Sequence, residues 1–308
     1  MNYLSVQDLG KSYGIQTLFK GLNFGIDQGQ KVALVARNGT GKTTILRALA
    51  GIESADTGLV VFRKGLRIAF LQQESHFGDA KTVYQAIYES ENPLLSAIQE
   101  YETALLNPEN AAAFQTAFDK MDQLEAWDYE VKVKTILSKL KLDELKQELS
   151  VLSGGQKKRL SLAKILIEQP DFLILDEPTN HLDLGMIEWL QEYLTKENVT
   201  LFMVTHDRYI LDAICNEILE LEEGDIFRYK GNYTYYLEKK QERQAVMQTN
   251  IDKAKNLYGK ELEWMRRQPK ARGTKSKARI DSFYDVEKSA KKRIKNDKVQ
   301  LEVQMTRL

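Results

Sequence analysis

From Ala36 to Thr44 the chain reads Ala-Arg-Asn-Gly-Thr-Gly-Lys-Thr-Thr. Two glycines, a lysine and hydroxyls at this spacing can hold phosphate. Gly39 and Gly41 let the main chain approach an oxygen without a clashing Cβ. Loop amides and the helix N-terminus that follows would point at the anion. Lys42 would place a cation on the outer phosphates, and the Thr43 hydroxyl can ligate Mg2+. Arg37, Asn38, Thr40 and Thr44 complete the candidate binding stretch. Ala36 stands where this motif usually has its first glycine, and its methyl is either tolerated there or strains the loop.

A second run, Phe172-Leu-Ile-Leu, ends in Asp176 and Glu177. A carboxylate at a strand tip beside a phosphate loop suits Mg2+, directly or through water; that residue is Asp176. The next carboxylate, Glu177, can orient or deprotonate an attacking water. Leu152-Ser153-Gly154-Gly155-Gln156 opens a further helix, with Ser153 as a natural N-cap. A second phosphate-binding helix terminus is redundant for one nucleotide. It makes sense if it closes over a nucleotide held by another molecule.

These residues need elements to position them. Lys31–Ala36 is a short Val-rich run that leads into the glycine loop and a helical pattern closed by Gly51: strand, loop, helix. Leu22, Phe24 and Ile26 alternate like a half-buried strand. Residues 59–63 and 67–71 read as strands too. From Thr82 the pattern turns helical, with Leu94, Leu95, Ile98, Tyr101 and Leu105 on one face. Asn107-Pro108 breaks it, and Phe114, Phe118 and Met121 resume it, as a two-helix hairpin would. Helices then alternate with the apolar runs 172–175 and 200–205. This predicts an α/β fold with a mostly parallel, covered sheet and an antiparallel β portion.

The chain has 308 residues, 43% of them hydrophobic and 29% charged, as in ordinary globular proteins. It has no apolar run long enough to span a membrane and no secretion signal near Asp8, so a cytoplasmic protein without membrane partners is expected. One cysteine, Cys215, excludes an internal disulfide and reads as a buried apolar residue. Net charge is zero, yet residues 238–308 hold 20 Lys+Arg against 10 Asp+Glu. The stretch 266–279 carries Arg266, Arg267, Lys270, Arg272, Lys275, Lys277 and Arg279, with Pro269 and Gly273 breaking a helix between two polar helical segments. Such a tail suits a polyanionic partner.

The P-loop, LSGGQ, LILDEP and VTHD, in this order over residues 1 to about 230, resemble an ATP-binding cassette ATPase. The resemblance implies that Tyr13 stacks on adenine. It implies that Gln73 senses Mg2+ and the attacking water, with Gln72 as the alternative register. His206 would be the switch histidine on the γ-phosphate. Ser153, Gly154, Gly155 and Gln156 would cap the ATP of a second cassette. Asn180-His181-Leu182-Asp183 is similar to the loop joining two cassettes; His181 there reads as a helix cap without chemistry.

DEPTNHLD, the GNYTYYLEKKQER helix entry and the basic block resemble the ABC-F translation factors, nearest in look to the Uup type. That resemblance implies a cassette over 1–230, with a helical subdomain at about 78–168 and an inserted arm at about 91–130. A basic helical linker hairpin would fill 231–308. It implies Mg2+ with ATP as cofactor, and the ribosome, rRNA and tRNA as partners, with branched DNA as the alternative nucleic acid. A transporter's ATPase subunit is the other class to weigh. The family has two cassettes on one chain. Residues 1–308 hold one P-loop and read as a fragment with poor hydrolysis alone, which a second cassette or a homodimer would complete.

Overall fold

The computed structural model describes residues 1–72, 77–88, 90, 92–107, 109–222, 224–266 and 277–291. It divides into two units, Met1–Asn232 and Tyr233–Leu308.

The first unit is built on two sheets. Strands β1 (Asn2–Tyr13), β2 (Gln16–Asp27) and β4 (Thr57–Phe62) form an antiparallel sheet in the order β2-β1-β4. The second sheet has the order β5-β6-β7-β3-β8-β9, where β3 is Lys31–Ala36, β5 Ile68–Leu71, β6 Phe172–Asp176, β7 Thr200–Val204, β8 Glu217–Glu222 and β9 Asp225–Lys230. Its first five strands are parallel, and β9 closes it by an antiparallel hairpin with β8. Every residue of β6 and β7 is buried, as strands covered on both faces must be. One apolar cluster joins both sheets to helix α1 (Lys42–Leu49): Leu4, Leu9, Phe19 and Ile26 meet Ile45, Leu46, Phe172 and Phe202.

The helical part holds α2 (Val83–Tyr88), α3 (Pro93–Leu105), α4 (Ala111–Gln123), α5 (Trp127–Lys139) and α6 (Gly154–Ile167). Asn92 and Asn110 cap α3 and α4, their side chains accepting from Leu94 N and Ala113 N. Tyr101 of α3 meets the Trp127 ring edge-on at 5.0 Å, and Phe118 of α4 lies 5.2 Å from the same ring. Of the predicted face, Leu95 and Ile98 are buried, but Leu105 is half exposed near the end of α3. Helices α7 (Leu184–Lys196) and α8 (Arg208–Ile214) follow β6 and β7. Asp183, rather than His181, caps α7 by accepting from Met186 N at 3.0 Å. His181 instead has a left-handed backbone with φ 68°.

The second unit is an antiparallel pair, α9 (Tyr233–Arg266) and α10 (Lys277–Ala290). Tyr258 stacks on Phe283 at 5.5 Å, and Arg279 lies 4.1 Å over the Trp264 ring while gripping Glu261 with two hydrogen bonds. These contacts give a mainly polar segment a small apolar seam with Ile251 and Phe283 buried. Residues 267–276 and 292–308, which include Arg267, Lys270, Arg272 and Lys275, lie outside the described residues.

Phe202, at 0% exposure and stacked on Phe24 at 5.8 Å, ties the central strand to the antiparallel sheet. Phe202→Ala should destabilise the first unit by about 3–5 kcal/mol. Urea unfolding is the measurement; an unchanged midpoint would contradict this core.

Candidate nucleotide site

Parallel pairing decides where the chemistry falls. Strands β6, β7 and β3 are neighbours running the same way, so their C-terminal ends open on one edge. That edge is where ligands bind in open α/β sheets. Asp176 and Glu177 leave β6, Thr205 and His206 leave β7, and residues 37–44 leave β3. An open cleft of about 490 Å³ is lined by Asn38, Gly39, Gly41, Lys42, Thr43 and Thr44 on one wall. Tyr13, Asp176, Glu177 and His206 line the rest. A larger groove of about 710 Å³ lies between the end of α1 and strands β4 and β5 and shares no lining residue with this cleft.

The loop is shaped by its own bonds. Thr40 Oγ1 donates to the Arg37 carbonyl at 2.7 Å. Gly39 and Gly41 have φ of 79° and 89°, which a side chain would oppose. A Cβ on Gly41 would also sit 3.1 Å from Leu18 Cδ1. Of the two alternatives at Ala36, the methyl is tolerated: Ala36 is the last residue of β3, has no left-handed backbone, and its methyl is buried in the core cluster. Lys42 Nζ donates to the carbonyls of Ala36 at 3.1 Å and Arg37 at 3.4 Å, and to Asn38 Oδ1 at 3.1 Å. Burial lowers its pKa, against the pull of Glu177 and Asp176.

The acids differ from ordinary surface carboxylates. Burial raises the pKa of Asp176, opposed by a hydrogen bond from Thr43 and by Lys158 and Lys42. Its Oδ2 is buried and has no hydrogen-bond partner among the described residues. An orphan carboxylate oxygen beside a threonine hydroxyl fits a hard, oxygen-seeking cation such as Mg2+. Burial pushes the Glu177 carboxyl up to about 7, with neighbouring Asp176 adding to it. His206 N donates to Glu177 Oε2 at 3.3 Å, and its Nε2 lies 3.4 Å from Oε1. Burial and then Lys42 lower the His206 pKa, which favours the neutral ring at neutral pH. Glu177 has φ 49°, a left-handed backbone that costs a non-glycine residue energy and clusters at functional sites.

Tyr13 is 53% exposed at the end of β1, and its hydroxyl donates to Glu53. Gln73 lies outside the described residues, while Gln72 is described. Ser153 Oγ accepts from Gln156 N at 3.2 Å, and Gln156 Oε1 accepts from Ser153 N at 2.9 Å, a reciprocal capping box. The Ser153–Gln156 turn does not line the cleft formed by the P-loop. Sequence reasoning missed Lys158 and Glu53. Lys158 repeats with Leu162 and Leu166 every fourth residue, which placed it on the buried stripe of α6.

A family model described as ABC transporter matches residues 19–180, more than half of the chain. The chain belongs to the ABC transporter family. A second model of that description matches residues 219–302. The uncharacterized ABC transporter ATP-binding protein YfmR of Bacillus subtilis is 43% identical over 288 residues, covering 91% of this chain and 46% of that protein. The energy-dependent translational throttle protein EttA of Mycobacterium tuberculosis is 32% identical over 305 residues, covering 97% and 55%. EttA of Haemophilus influenzae is 33% identical over 274 residues, covering 86% and 49%. The chain spans about half the length of the curated relatives it matches. A solved ATP binding subunit of an ABC transporter aligns with TM-score 0.56 at 20% identity, covering 74% of this chain and 90% of that one; it shows the cassette fold. The two models and these relatives make this an ATPase cassette of the ABC-F branch, without singling out the Uup type. No helix among the described residues is long and apolar enough to cross a membrane.

Two outcomes are expected of this cassette. Lys42→Ala should abolish ATP binding by calorimetry, and unchanged affinity would sink the P-loop assignment. Without nucleotide or metal, Glu177 binds its proton more tightly folded, at about 7, than at its ordinary 4.5. Between those values the folded state carries the extra proton, so stability falls as pH rises through the window. The loss is on the order of 3 kcal/mol at most. Glu177→Gln should flatten that dependence in thermal melts from pH 4.5 to 8; a parallel decline would refute the shift.

Proposed function

We propose that the chain binds Mg-ATP on its P-loop and hydrolyses it when a second cassette closes over the nucleotide. The observation carrying this is one cleft that gathers the P-loop, Asp176, Glu177, His206 and Tyr13. Loop amides and Lys42 would hold the phosphates, and Tyr13 would offer its ring to adenine. Thr43 and Asp176 would hold Mg2+, which would offset phosphate charge, and Gln73 is the remaining candidate ligand. Glu177, whose carboxyl titrates near neutrality, would in its ionised form take up the proton of the attacking water. Neutral His206 would orient Glu177 and contact the γ-phosphate.

The second cassette follows from Ser153–Gln156. Ser153 and Gly154 are exposed, and a Cβ on Gly154 would meet nothing within 4 Å. Nothing among the described residues therefore requires glycine there. An anion on another cassette would. ATP touching both cassettes binds the closed state more tightly than the open one, and that difference drives closure. The partner is the other half of a longer chain or a second copy.

The substrate of the motion is the translating ribosome, in the cytoplasm. The name of the EttA relatives and the positive charge of 238–308 support this reading. Arg266 and Lys277 are exposed at the facing ends of α9 and α10. With Arg267, Lys270, Arg272 and Lys275 between them they would meet rRNA or tRNA phosphates, with strong salt dependence. Arg279 is committed to Glu261 and Trp264, so its part is to brace the hairpin. Branched DNA would use the same charge.

Glu177→Gln in the two-cassette protein should trap ATP and enrich the protein on ribosomes. Co-sedimentation in Mg-ATP is the measurement. No enrichment over wild type, together with retained junction-DNA binding in gel shifts, would transfer the function to DNA.

A further inference from the structure

Helix α6 carries an ammonium where a helix normally buries an apolar side chain. Lys158 is 7% exposed, on the same face as Leu162 and Leu166. A buried ammonium is costly unless it is hydrogen-bonded or paired. Lys158 Nζ donates to the carbonyl oxygen of Gln72 at 2.7 Å. Among the described residues no carboxylate comes within ion-pair distance of it. Burial holds its pKa below the ordinary lysine range, while Asp176 and then Glu177 oppose that from further away.

The place of this bond gives it meaning. Gln72 lies just beyond β5, which pairs with β6, the strand that ends in Asp176. Its carbonyl carbon is bonded to the amide nitrogen of Gln73, the residue assigned to the attacking water. Lys158 lies five residues after Ser153, within the first turns of the helix opened by the capping box. A helix is stiff over that length, and coupling between sites travels through such rigid elements.

We propose that Lys158 is a positioning residue that fastens the signature helix to the segment leaving β5. A load placed on Ser153–Gln156 by another cassette's nucleotide then reaches the chain at Gln72, beside the hydrolytic groups. An apolar residue would fill the same space and leave the Gln72 carbonyl without this donor. The inference rests on the nucleotide reading above.

The test is amide hydrogen exchange of the 308-residue chain, with and without Mg-ATP, for wild type, Lys158→Met and Lys158→Arg. Mg-ATP should slow exchange at residues 37–44 in all three. Residues 72–80 should exchange faster in Lys158→Met by about tenfold, the size expected from loss of one buried charged hydrogen bond. Lys158→Arg, which keeps charge and donors, should recover most of the protection. Slowing at 37–44 in Lys158→Met also shows that this variant folds; should it not, Lys158→Gln, polar but shorter, carries the same comparison. Unchanged exchange at 72–80 with normal P-loop slowing would overturn the proposal and leave the nucleotide reading intact. No slowing at 37–44 in wild type would overturn both.

Discussion

Parallel pairing of β6, β7 and β3 is the constraint on which the rest depends. Three strands that run together and end together bring two acids, a histidine and a glycine loop to one edge, although they are spread from residue 36 to residue 206. Each strand is held by burial: every residue of β6 and β7 is buried, and only Asp176 and Thr200 among them are polar. The cleft is therefore a by-product of the core. Its polar groups sit where apolar strands stop, which is why Asp176 and Glu177 are desolvated enough for their protons to be held tightly.

Much of this was legible in the sequence. The strand, glycine loop and helix at 31–51 are seen as β3 and α1, because a Val-rich run and a loop that only glycine allows leave few alternatives. The long polar helix expected from Asn232 to about Arg267 is α9, Tyr233–Arg266. Strand β1 was not legible. Its register shifts repeatedly against β2, and Asp8 takes φ 49°, so the two-residue alternation is lost. Helix α8 has seven residues, too few for a periodic signal.

The site was legible in parts that carry rare residue combinations, and illegible where its role is purely spatial. Gly39, Gly41, Lys42, Asp176 and Glu177 announce themselves by type and spacing. At Ala36 the motif names a glycine, so tolerance and strain were both open from the sequence; the strand simply extends through that position. Lys158 reads as one more lysine in a basic stretch, unless its four-residue spacing with Leu162 and Leu166 is followed onto the buried face. Likewise Glu53 has no motif, yet it receives the Tyr13 hydroxyl and faces Lys11 at 3.7 Å.

The left-handed backbone at Glu177 has a further consequence. Glycine would occupy that conformation without penalty, whereas glutamate holds it at a cost of about 1–3 kcal/mol. A screen that rewards heat resistance alone would thus be drawn to this codon, and its hardiest survivors would have lost a carboxylate from the nucleotide cleft. Durability and the acidity of the cleft compete here at a single amino acid, in the bend that follows β6.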